Sequence, residues 1–279
     1  TAESDDRQIL LDPITELDLS PDMDDAIVSV NRSFSAPVKI DQDLDTADRL
    51  KLATLETDPF AKWEAIQTVA RKQLLEMAYD ISEGKSPDLP EQLIEAQVQA
   101  VRQTVGNDPA FASHLVTLPG VGELFLEMSP GDPGAIYEAK KIVRKELSKR
   151  LAPEIDRALE QNFSSGDVFS PDASSAGKRS FYAASLDLLS SQGSAQSIRL
   201  LSCFNKSSNM TDTMSALRAL ANVGGEDFEL AVRAFERKWH KSPLVMDKWF
   251  SVQTTTADDS AIARVEKLLK HSDFDWTNP

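Results

Sequence analysis

The chain has almost no cysteine, little histidine and no long apolar run, and each shortage closes a set of functions. Its single cysteine, Cys203, excludes an intrachain disulfide. Set between Leu200-Leu201-Ser202 and Phe204, it reads as a buried small hydrophobe, not a reactive thiol. No apolar stretch approaches the about 18 residues a membrane helix needs, and the start is polar and acidic. No membrane partner and a cytoplasmic location are therefore expected. The three histidines, His114, His240 and His271, lie too far apart for the i, i+4 spacing that sets two metal ligands on one helical face. Bases are outnumbered, 30 against 45 acids, and the formal charge of −15 disfavours nucleic acid or an anionic membrane as partner. Residues 1–25 hold nine of the acids against one base, Arg7, but lack the alternating carboxylates and closing glutamate of a calcium loop. Glycine-rich phosphate loops are missing too. Gly177-Lys178 has Asp172 where a P-loop needs glycine and Arg179 where it needs Ser or Thr, and Gly120-Val121-Gly122 follows no strand. There is no nucleophile-elbow motif.

What is present is helix. Residues 1–40 stand apart, with short β-prone runs at Ile9-Leu10-Leu11, Ile27-Val28-Ser29-Val30 and Val38-Lys39-Ile40 broken by Pro13, Pro21 and Pro37. These are expected to be strands, and residues 41–279 a helical domain. Asp58-Pro59, Asp108-Pro109 and Asp132-Pro133 are helix starts. The Asp side chain accepts from free amides of the first turn, and Pro lacks a proton that turn could not use. Trp63, Ile66, Ala70, Leu74, Met77 and Ile81 step by three or four and predict one buried stripe over about 59–83. Ile136, Ala139, Val143 and Leu147 repeat it until Pro153 kinks or restarts the helix. Residues 162–180 read as a long polar loop. Asn209 and Asp212 lie just before the Met214, Leu217, Leu220 stripe, where a helix cap at Asn209 or Thr211 is expected over ligand contact. The fold class is mainly α: an irregular, HEAT-like superhelix of paired antiparallel helices, preceded by a few strands of a sandwich domain.

Residues 238–250, Lys-Trp-His-Lys-Ser-Pro-Leu-Val-Met-Asp-Lys-Trp-Phe, hold two of the four tryptophans. Phe235 and Trp239 are i, i+4 on one helix, Ser242-Pro243 ends it and starts another, and Val245 and Trp249 repeat the spacing. Trp239, Met246, Trp249 and Phe250 are then expected at the packing centre of the C-terminal half, with His240, Asp247 and Lys248 among them; the two charges need polar partners or solvent. The string Trp239-His240 through Met246-Asp247-Lys248-Trp249-Phe250 also resembles a signature in the C-terminal helical region of bacterial aminopeptidase N, the alanyl aminopeptidase family of zinc metallopeptidases. Five further stretches match that family in order: residues 34–39, 58–67, 117–119, 132–136 and 209–212.

The resemblance implies a larger enzyme whose chemistry rests on a His-Glu-x-x-His helix with a downstream Glu, holding zinc and a general base. Neither that motif nor the family's Gly-x-Met-Glu-Asn motif occurs here. By resemblance, the chain is the end of the sandwich domain and most of the helical domain of such an enzyme. It has no catalytic or metal residue of its own, and zinc belongs to the parent. Its implied partners are the N-terminal and catalytic domains of the same chain. The helical domain caps the catalytic one, encloses the active-site chamber and helps limit substrates to peptides. The alternative is a stand-alone helical array that binds a protein partner.

Overall fold

The computed structural model describes residues 27–38, 40, 42–164, 169–254 and 260–277. Among them the chain forms thirteen α-helices and no strand. These are α1 (Thr46–Leu55), α2 (Pro59–Ser82), α3 (Glu91–Thr104), α4 (Pro109–Leu115), α5 (Val121–Glu127), α6 (Pro133–Arg150), α7 (Ala152–Ser164), α8 (Ala173–Ser190), α9 (Ser197–Lys206), α10 (Met210–Val223), α11 (Gly225–Trp239), α12 (Pro243–Thr254) and α13 (Ala261–Leu268). The starts are set locally. Asp58, Asp108 and Asp132 each accept from the amide three residues on, at Ala61, Phe111 and Ala135, with Pro at the first helical position. Asp45 and Asp172 cap α1 and α8 in the same way.

The buried stripes then stack these helices. Ile66, Ala70 and Leu74 of α2 are fully buried, as are Ile136, Ala139, Val143 and Leu147 of α6, and the two helices pack together. Further on, α8 packs on α4, α7 and α10, while α10 packs on α9 and α11. Contacts of this kind, made mostly between near neighbours in the chain, give a core that runs along the array. Pro153 restarts the helix instead of kinking it: α6 ends at Arg150, and Pro153 falls in the first turn of α7, where its missing amide is harmless.

Two expectations need correction. The β-prone residues 27–30 and the described part of 38–40 form no strand; a 3-10 turn at Arg32–Phe34 lies between them. A strand needs a neighbour to complete its ladder, and the described residues supply none. The Ile9-Leu10-Leu11 run lies outside the described residues. The polar loop is also shorter than its composition suggests, because α8 begins at Ala173 and takes in Ser174 to Ser180. Gly177 lies inside that helix against α4, where an added Cβ would come within 3.2 Å of Ala110 N and 3.3 Å of Ala110 Cβ. Its smallness lets two helices approach closely.

Candidate functional site

The segment 238–250 folds as the junction of α11 and α12. His240 caps the end of α11, its Nδ1 3.0 Å from Arg237 O, and Ser242-Pro243 reverses the chain. Trp249 points back at α11 and is 4% exposed; its Nε1 donates to Val232 O at 3.0 Å, so the buried indole leaves no donor unpaired. Met246 is also buried, whereas Trp239 and Phe250 are half-buried and packed against the core edge. His240, Asp247 and Lys248 are exposed. The aromatic centre is thus narrower than four large side chains.

It is extended by residues that the sequence reading left out. Beyond α13 the chain folds back so that the His271 ring lies 5.1 Å from Trp249 and 5.4 Å from Phe250. His271 Nδ1 accepts from Asp273 N at 3.1 Å, and Nε2 faces Glu236 Oε1 at 3.3 Å, which selects the Nε2-protonated tautomer. Phe274 then stacks edge-on to Phe250, and Trp276 to Phe274. Residues 271–277 carry no helical period, so only the tail's proximity to α12 shows their role.

The other stretches singled out in the sequence are structural as well. Asn209 caps α10 through Asp212 N at 2.9 Å. Asp212, buried in the first turn, accepts at Oδ2 from Asn209 Nδ2 (2.7 Å) and from Asn162 Nδ2 of α7 (3.1 Å), so the pair ties two helices together. The loop around Thr117-Leu118-Pro119 is held by its carbonyls. Gln97 donates to Leu115 O, Gln67 to Thr117 O and Lys140 to Pro119 O. Burial, followed by the like charge of Arg144, pushes the Lys140 ammonium below its ordinary range. Cys203 is 3% exposed, and burial pushes its thiol up against the smaller opposing effect of the Tyr182 hydroxyl.

A groove of about 560 Å³ between α1 and α3 is lined by Leu50, Lys51, Glu91, Glu95 and Arg150. Its charges answer one another, since Arg150 pairs with Glu91, Glu95 and Glu146. Nothing in it resembles a nucleophile with its base. Among the described residues no three His, Cys, Asp or Glu side chains gather as a metal site requires. Among those residues zinc has no fitting donor set: His114 and His240 are exposed and lie on separate elements, and His271 is engaged by Glu236 and Asp273. No helix is long and apolar enough to cross a membrane among the described residues.

Residues 46–279 match the family model described as "Domain of unknown function (DUF3458_C) ARM repeats". Aminopeptidase N of Caulobacter vibrioides is 35% identical over 257 residues, covering 91% of this chain and 29% of that protein. Aminopeptidase N of Escherichia coli is 28% identical over 247 residues, covering 88% of this chain and 28% of that protein. The crystal structure of Legionella pneumophila aminopeptidase A in complex with aspartic acid aligns with a TM-score of 0.72 at 25% identity, over 88% of this chain and 29% of that one. The chain spans less than a third of the length of the curated relatives it matches.

Proposed function

The chain belongs to the ARM-repeat family whose model spans its residues 46–279, and from that premise we propose that it is the non-catalytic helical part of a zinc-dependent aminopeptidase. Its parent removes N-terminal residues from peptides in the cytoplasm, using zinc held by another part of the same chain. The helical array caps the catalytic domain and encloses the chamber through which peptides arrive. Its partners are the N-terminal and catalytic domains of that parent.

The observation that carries this reading is the 35% identity to an aminopeptidase N over 91% of the chain, confined to 29% of the relative's length. The geometry supports it: the long signature is spent on a helix junction, with Trp249 inside the fold, and not on a cleft lined by acid and base. The parent reading frame upstream of Thr1 provides the test. A His-Glu-x-x-His with a downstream Glu is expected there. A frame without it overturns the reading and leaves a helical array that serves a separate protein partner.

A further inference from the structure

Asn31, Ser33 and Phe34 have φ of 54°, 58° and 49°, a left-handed backbone that non-glycine residues seldom adopt. Such a turn persists only where its surroundings hold it. Asp58, the cap of α2, supplies the hold. Its Oδ1 accepts from Ala61 N at 2.9 Å, while Oδ2 accepts from Ser33 N at 2.9 Å and Ser33 Oγ at 3.0 Å. Arg32 donates to Thr57 Oγ1 at 2.8 Å and lies 3.3 Å from Glu56 Oε1, which itself accepts from the amides of Thr57 and Asp58. Asn31 Oδ1 closes the turn by accepting from Ala36 N at 2.9 Å. Phe34 packs 5.0 Å from the Phe60 ring of α2, and Gln42 Nε2 donates to Val28 O at 2.8 Å, drawing the two arms of the turn together.

A free linker would use residues at ease in many conformations and few side-chain bonds. This segment does the reverse at both levels. We infer that residues 29–36 form a sprung joint, a strained turn clasped by Asp58 that fixes the angle between residues 27–30 and the start of the array and swings open when the clasp is lost. The arms on either side expose Val28, Val30, Val38 and Ile40, so the joint sets the angle at which those apolar side chains are presented. This inference stands on the turn alone and does not rest on the aminopeptidase reading.

Amide hydrogen exchange on the whole chain tests it, with three variants. Ser33→Ala and Ser33→Gly both lose the Oγ contact but differ in the cost of a positive φ. Exchange over residues 33–36 is expected to rise about fivefold in Ser33→Ala, the loss of one ordinary hydrogen bond, and to stay within about twofold of the parent in Ser33→Gly. In Asp58→Asn the same amides should exchange faster while Ala61 stays protected, because asparagine also caps helices. The inference is overturned by equal exchange in the two Ser33 variants, by faster exchange in the glycine variant, by a parent turn as open as free peptide, or by Ala61 opening together with the turn.

Discussion

Trp249 shows how much one residue carries here. Its ring closes the angle between α11 and α12, its nitrogen satisfies Val232 O, and His271 and Phe250 pack around it. Trp249→Ala removes both the buried area and the indole bond, so a loss of about 3–5 kcal/mol is expected in the denaturant midpoint. An unchanged midpoint would mean that the ring is dispensable to the junction. Glu56 and Asp58 make a second residue-level case. Burial alone would raise both carboxyls, but for Glu56 the Asp58 amide and the Ser29 hydroxyl, and for Asp58 the amides of Ala61 and Ser33, hold them below the ordinary carboxylate range. A carboxyl depressed by folding stabilises above its unfolded pKa, and that contribution is lost as pH falls through the folded value. Asp58→Asn should therefore cost stability near neutral pH, with the gap to the parent narrowing as pH falls below the ordinary Asp value of about 4. A gap independent of pH would contradict the clasp's charge.

At the scale of elements, the helix starts were readable because a cap is a contact between residues three apart. Asp58-Pro59, Asp108-Pro109 and Asp132-Pro133 each place donor, acceptor and proline within one turn. Asn209 works the same way, and Asn209→Ala is expected to lower stability by roughly 0.5–2 kcal/mol by thermal or denaturant melting. No change would show that Asp212 and Asn162 hold α10 without it. Elements that depend on distant neighbours were not legible. The first turns of α8 read as loop from their serines and Gly177, and the small size of Gly177 makes sense only once α4 lies against it. The tail at His271, Phe274 and Trp276 has no period to reveal that it covers α12. The β-prone residues 27–30 and the described part of 38–40 misled for a related reason: strand propensity is a preference for a partner. Gly177→Ala tests the close approach. In an open helix alanine would gain about 1 kcal/mol. Here its Cβ meets the backbone of a capped, proline-led first turn, so a net loss of about 1–3 kcal/mol is expected in the denaturant midpoint. A gain would show that α4 can yield.

Across the described residues, the histidines are dispersed, the charged groove is internally paired and Met246 and Trp249 of the family signature are packed inside a helix junction. On the proposed reading, an array of this kind contributes shape and enclosure, and the catalytic part of the parent contributes the reactivity. This matches a chain aligned to less than a third of its aminopeptidase N relatives. The most direct measurement is aminoacyl-anilide turnover by this chain with added zinc, by the upstream part of its parent, and by the two together. The expected result is no chelator-sensitive turnover by this chain alone and a change in turnover by the upstream part when the chain is added. Chelator-sensitive turnover that follows this chain alone through purification, or an upstream part indifferent to its presence, would contradict the proposal.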